Sequence, residues 1–145
     1  KRTIKIRNPN FNRPWQHVLE PLYGYLLLGE KLCKKPKTYS GAWNFGTKKN
    51  TVTNVEEIIK KIIRYWGSGK YFSNKKTKYY EQKNLQLNIN KAIKYLKWSP
   101  KLSIDQSVNL TTSWYYRAIN TKKTIEQITL EQISLYESIH ANKKK

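Results

Sequence analysis

Residues 6–28 read Ile-Arg-Asn-Pro-Asn-Phe-Asn-Arg-Pro-Trp-Gln-His-Val-Leu-Glu-Pro-Leu-Tyr-Gly-Tyr-Leu-Leu-Leu, and the two ends of this stretch behave differently. Its head continues Thr3-Ile4-Lys5-Ile6-Arg7, where polar and apolar side chains alternate with the period of a half-buried strand. Asn8-Pro9-Asn10 breaks the alternation and opens a loop. The tail is a helix start at Glu20-Pro21, with proline in the first turn, where no amide donor is needed. The helix is expected to turn Leu22, Leu26 and Leu32 inward and to stop at Lys34-Lys35-Pro36. Strand, polar loop and helix in that order point to a mixed α/β or α+β layer.

Further along, Ala42-Trp43-Asn44-Phe45-Gly46 predicts a short strand ended by glycine. Thr53-Asn54-Val55-Glu56 has capping-box spacing. Val55, Ile58, Ile59, Ile62, Ile63 and Trp66 follow at helical spacing up to Gly67, a left-handed stop. Tyr71-Phe72 and Leu85-Gln86-Leu87 predict brief strands. Asn88 or Asn90 caps a short helix that carries Ala92, Ile93 and Leu96 to Trp98-Ser99-Pro100. Ser103-Ile104-Asp105-Gln106 opens a further helix, with Ile104, Val108, Thr111, Tyr115 and Ile119 on one face and Asp105 placed to favour its dipole. Thr129-Leu130-Glu131-Gln132 carries the same signature ahead of Ile133, Tyr136 and Ile139. Asn142 to Lys145 read as a solvated tail. The strands are too few to close a sheet of their own. With no methionine and with lysine at position 1, the expectation is a piece of a larger fold whose start lies upstream.

Composition sets limits on function. Across 145 residues the hydrophobic share is 38% and the aromatic share 13%, which argues for a packed core and against disorder. A formal net charge of +20 suggests a nucleic-acid or anionic-membrane binder. Yet 24 of the 29 cations are lysine, whereas arginine is the side chain suited to bidentate phosphate and guanine contacts. Lysine is over-used together with asparagine, isoleucine and tyrosine, all encoded by A/T-rich codons, so nucleotide bias accounts for the charge more simply than polyanion binding does. No nucleic-acid partner is therefore expected. Nor is a membrane partner, because no apolar run approaches ~18 residues and no signal peptide is visible. Cys33 is the single cysteine, so no internal disulfide forms and a reducing, cytoplasmic setting is expected. His17, His140 and Cys33 match no metal-ligand spacing. Gly67-Ser68-Gly69-Lys70 follows a helix and lacks the glycine spacing of a phosphate loop. Tyr-x-x-x-Lys occurs at Tyr71/Lys75 and Tyr79/Lys83, but chance gives about two such pairs in this composition. The residues of this chain thus assign no catalytic group and no metal.

The block Ile-Arg-Asn-Pro, then Arg13-Pro14-Trp15-Gln16-His17-Val18-Leu19-Glu20-Pro21-Leu22, closely resembles the C-terminal half of the CDP-glucose 4,6-dehydratase family, extended short-chain dehydrogenase/reductases. Related nucleotide-sugar epimerases and dehydratases have a looser version, and Pro14, Gln16 and Glu20-Pro21 narrow the match. Ala42 to Gly46 is similar to the family's Ala-Trp-Asn-Phe-Gly strand. Leu85 to Asn88 with Lys91-Ala92, Trp98-Ser99-Pro100, Trp114-Tyr115 and Thr129 to Ile133 with Tyr136 follow in the family's order. Two departures stand out. The family's His-Glu-Ala-His-Tyr run is Tyr80-Glu81-Gln82-Lys83-Asn84, and its Leu-Gly-Trp is Leu96-Lys97-Trp98.

The resemblance implies an α/β fold: the C-terminal part of a Rossmann-type, NAD(P)-binding extended fold, helix-rich with short strands and without its dinucleotide-binding half. Residues 1–145 would form the nucleotide-sugar-binding part, and residues 15–46 would pack back on the Rossmann domain. It implies conversion of CDP-glucose to CDP-4-keto-6-deoxyglucose with NAD, the glycine-rich loop and the catalytic Tyr, Lys and Ser/Thr all lying upstream. Partners would be CDP-glucose, the rest of the polypeptide and a second copy in a homodimer of the complete enzyme. Arg13 would bind the substrate diphosphate, apt for a planar guanidinium fork. Asn44 would bind the diphosphate or order its loop, and Arg7 and Asn8 would line the nucleotide pocket or fix theirs. Glu81 is what remains of the substrate-contacting run. Trp15 and His17 are expected to pack. Open alternatives are another nucleotide sugar or, in a different class, a basic nucleic-acid-binding module.

Overall fold

The computed structural model describes residues 3–49, 51–73 and 85–142. β1 (Ile4–Ile6) pairs in parallel with β4 (Tyr71–Ser73), Ile4 opposite Tyr71. β2 (Asn12–Arg13) pairs antiparallel with β3 (Thr53–Asn54), Arg13 opposite Thr53. Five helices carry the rest: α1 (Leu19–Lys34), α2 (Pro36–Tyr39), α3 (Val55–Trp66), α4 (Ile104–Asn120) and α5 (Ile125–Asn142), with a π-helical turn at Ala92–Leu96.

The extent of α1 follows the expectation, but its orientation does not. Glu20 and Gly24 are buried, Tyr23, Leu27 and Leu28 pack on the core, and Leu22 and Leu26 are exposed. The core is Phe45, Ile89, Ala92, Leu96 and Trp98, all buried. Phe45 reaches it because α1 has no side chain at Gly24: a Cβ there would lie 2.3 Å from the Phe45 ring. Phe45 then meets Trp98 edge-on, with ring centroids 5.0 Å apart, a favoured aromatic geometry.

Residues 42–46 form no strand, because no strand among the described residues lies alongside to share a ladder. Residues 85–87 likewise form none. Asn88 caps the next segment by accepting from Asn90 N at 2.9 Å. That segment becomes a π-turn closed by Lys97, a non-glycine residue at φ 55°. The family's glycine would hold this conformation without steric cost.

α3 is capped one residue later than expected. Asn54 Oδ1 accepts from Glu57 N at 2.8 Å, and Thr53 is occupied in β3. Gly67 ends the helix at φ 81°. α4 has the expected capping box, Ser103 with Gln106, but buries Ser107, Val108 and Thr112 and exposes Thr111, Tyr115 and Ile119. It packs between α3 and α5. At the α3 contact Asp105 accepts from Lys61 Nζ (2.8 Å), Arg64 Nη2 (2.9 Å) and the Tyr65 hydroxyl. These neighbours, Lys61 and Tyr65 foremost, hold its carboxyl down at about 2. α5 starts earlier than expected, at a reciprocal cap of Thr124 and Gln127. Thr129 lies within the helix, where its hydroxyl donates to Ile125 O and accepts from Trp114 Nε1. Ile128, Gln132 and Tyr136 form its buried face, one turn apart each. The residues after Asn142 lie outside the described residues.

Candidate functional site

The loop from Arg7 to Val18 joins β1 to α1 and carries most of the nominated residues. Asn-Pro-Asn is a turn in which Phe11 N donates to Asn8 O at 3.2 Å. The turn is docked on the start of α3: Glu56 N donates to Pro9 O (3.0 Å) and Val55 N to Phe11 O (3.1 Å). Helix starts leave their first amides without intrahelical acceptors. Here the loop and Asn54 fill those of Val55, Glu56 and Glu57. The docking consumes the donors that would otherwise make this helix end an anion site.

Arg13 lies beside this helix start. It is half-buried in β2, its Nη1 donates to Asn12 O at 2.7 Å, and its guanidinium lies 5.5 Å from the Phe11 ring centroid. Pairing of β2 with β3 sets it opposite Thr53, next to the α3 cap. The sequence reading did not group Arg13 with Thr53 and Asn54. The signal was the polar Thr-Asn pair directly ahead of the helix.

The other nominated residues sit elsewhere or serve the loop. Arg7 is exposed in the bend after β1, and Asn8 is half-buried with its carbonyl in the turn. The Asn44 amide donates to Asn88 O at 3.3 Å, so it orders the 42–46 segment against the 85–89 segment. Gln16 links this segment to the Arg13 loop by donating to Phe45 O at 3.1 Å. Glu81 lies outside the described residues, as do Lys75, Tyr79 and Lys83; Tyr71 donates its hydroxyl to Glu56 at 2.7 Å.

The loop ends in a group that the sequence reading took only as a helix start. Glu20 is 1% exposed. Its Oε1 accepts from Lys101 N (2.8 Å) and Leu102 N (2.7 Å), its Oε2 from the Tyr136 hydroxyl (2.9 Å), and its carbonyl from Trp98 Nε1 (3.2 Å). Burial, with the Glu20 carboxylate beside it, pushes the Tyr136 phenol far above its ordinary value, so it stays a donor. His17, also buried, accepts from Leu19 N and is held below its usual range by desolvation, hence neutral near pH 7. Both residues position the loop.

A cavity of about 500 Å³ lies between the start of α1 and helices α4 and α5, lined by Gln16 to Leu19, Trp114 and Ile133 among others. No charged side chain lines it, so it does not suit a diphosphate. Among the described residues no three His, Cys, Asp or Glu side chains gather as a metal site, and no helix is long and apolar enough to cross a membrane. The six glycines form no Gly-x-Gly-x-x-Gly run, and Gly67 serves as a helix stop. α1 presents Val18, Leu22, Tyr25 and Leu26 to solvent, Leu26 at 74% exposure.

No profile of a known protein family matches the chain. It is 33% identical over 113 residues to CDP-glucose 4,6-dehydratase of Salmonella typhimurium, an alignment that covers 77% of this chain and 32% of that enzyme. The chain thus spans about a third of that relative's length. In three dimensions it matches UDP-glucose 4-epimerase from Bifidobacterium longum in complex with NAD+ and UDP (TM-score 0.61, 18% identity, 83% of this chain and 36% of that one). It also matches dTDP-glucose 4,6-dehydratase from Bacillus anthracis in complex with NAD (0.59, 18%, 83% and 37%). RMD from Pseudomonas aeruginosa complexed with NADPH is a third match (0.60, 15%, 77% and 35%). The chain has the fold of the C-terminal part of an extended short-chain dehydrogenase/reductase, and in sequence it is a relative of CDP-glucose 4,6-dehydratase over about a third of that enzyme's length.

Proposed function

We propose that the chain is the nucleotide-sugar-binding part of a cytoplasmic CDP-glucose 4,6-dehydratase, which converts CDP-glucose to CDP-4-keto-6-deoxyglucose in deoxysugar synthesis. The observation that carries this reading is the 33% identity over 113 residues to that enzyme. NAD, as the hydride carrier, would be held by polypeptide outside this chain, as would the catalytic side chains.

This chain's own residues bind and position. Arg13 grips the diphosphate as a rigid fork, and the turn at Asn8 docks on α3 so that the fork has a fixed origin. Two observations support residues 15–46 packing on a dinucleotide domain outside the chain. The segment 42–46 pairs with no strand among the described residues, and α1 leaves an apolar face uncovered on that same stretch. Such packing places the diphosphate between two bodies, with water excluded by their closure.

The test is turnover by the complete polypeptide of CDP-, dTDP- and UDP-glucose assayed side by side. Product from CDP-glucose alone is expected, and Arg13→Ala is expected to raise KM about 10- to 100-fold, the loss of one charge-assisted bidentate contact. Turnover of only a dTDP- or UDP-sugar would replace the proposal with the neighbouring nucleotide-sugar activity.

A further inference from the structure

On its N-terminal side Arg13 is steadied by the docking of the Asn8 turn on α3. The same loop is tied down again at Gln16, with only Pro14 and Trp15 between the two residues. Both stiffen that link. Proline fixes its own φ, and Trp15 N donates back to Arg13 O at 2.9 Å, closing a three-residue turn. A shift at Gln16 therefore passes to Arg13 with little chain to absorb it.

The other end of the Gln16 contact is a fixed point. Its side-chain amide donates to Phe45 O at 3.1 Å. Phe45 is buried, with its ring seated against Gly24 and meeting Trp98 and Tyr25 edge-on. On the same segment the Lys91 ammonium donates to Ala42 O at 2.9 Å and the Asn44 amide to Asn88 O. None of these attachments uses Gln16, so residues 42–46 have their place whether or not the glutamine is there. The Arg13 loop gains from the contact; the segment does not need it. We infer that Gln16 is a positioning residue: by holding the Phe45 carbonyl it sets where the Arg13 guanidinium stands relative to Asn44, the neighbour of Phe45 in sequence. A fork that makes two parallel hydrogen bonds to phosphate needs its plane and its origin fixed. The inference rests on the diphosphate role proposed for Arg13 and adds a residue that acts through it.

The test is a double-mutant cycle in the complete polypeptide, run with whichever nucleotide sugar it turns over. Gln16→Met keeps the length of the side chain and removes the amide donor. It is expected to raise KM about 3- to 10-fold, the effect of one hydrogen bond, and to act on KM rather than kcat, as a loss of uniform binding does. On an Arg13→Ala background the same substitution is expected to change KM less than about twofold, because the group it positions is gone. An unchanged KM for Gln16→Met, or an equal rise in both backgrounds, overturns the inference and leaves the role of Arg13 standing. A fall in kcat at unchanged KM also overturns it. If Arg13→Ala itself leaves KM unchanged, the diphosphate role falls and the inference falls with it. Should Gln16→Met fail to fold, Gln16→Asn, which withdraws the amide by one methylene, goes through the same cycle and the same outcomes decide.

Discussion

Glu20 and Asp105 each accept three side-chain or amide hydrogen bonds from distant parts of the chain, but in different surroundings. Glu20 is sealed between α1, the 98–102 turn and α5. Asp105 lies open on the surface where α4 meets α3. Their donors differ accordingly. The Glu20 carboxylate is met by two backbone amides and a phenol, all neutral. Asp105 is met by lysine and arginine as well as a phenol. Water and salt screen the second set, and each long cation loses side-chain entropy when it is held there. The neutral donors around Glu20 have no solvent to return to, so losing their acceptor leaves them buried and unpaired. Similar bond counts therefore carry different consequences for stability.

The contrast breaks most clearly at Glu20. Glu20→Ala strands Lys101 N, Leu102 N and the Tyr136 hydroxyl, and the expected loss is about 3–5 kcal/mol, read as a fall in the urea midpoint. A loss no larger than that of a surface substitution would show that the two carboxylates are equivalent after all. Tyr136→Phe removes one donor and is expected to cost about 1–2 kcal/mol. It carries a pH signature too. The phenol is raised above its usual value of 10.0 in the fold, so the unfolded chain gives up that proton first. The hydrogen bond's stability is present below pH 10 and is lost as the pH rises beyond it. Alkaline melting curves should flatten in the phenylalanine variant. Asp105→Asn is expected to have the smallest effect, one that fades further in high salt. Because the Asp105 carboxyl is lowered from 3.8 to about 2, its contribution is present above pH 3.8 and is lost as the pH falls through about 2. Equal acid-melting curves for the two sequences over that range would remove the ion cluster from the stability of α3–α4.

How much of this was legible in the sequence depends on how many alternatives each residue left. The α3 helix and its Gly67 stop, the Ser103 cap and the existence of strands near Ile4–Ile6 and Tyr71–Ser73 rest on local chemistry and stand as read, whereas the parallel pairing of those strands was not read. The faces of α1 and α4 do not. α1 is apolar all round, with Leu22 and Leu26 on one side and Tyr23, Leu27 and Leu28 on the other, so its periodicity cannot say which stripe meets the core. Gly24 was the informative residue, because only a glycine admits Phe45 so close. For α5 the expected cap was Thr129 with Gln132, whereas Thr124 with Gln127 caps the helix and Thr129 lies inside it. Residues 42–46 needed a partner strand that no local pattern supplies. At the candidate site, Arg13 was readable from its motif. Its neighbours Thr53 and Asn54, forty residues away, became visible only through the β2–β3 pairing. Glu20 was hidden because its partners lie far along the chain.

That last separation bears on how the protein is made. Glu20 waits for Trp98, Lys101 and Leu102, which follow 78, 81 and 82 residues later, and for Tyr136, 116 residues later. At ~5–20 residues per second, a ribosome exposes the finished α1 for several seconds before its last partner is synthesised. Contacts of such sequence separation close slowly. The buried carboxylate therefore couples completion of this fold to synthesis of α5, and a chain cut short before residue 136 would leave Glu20 without its final ligand.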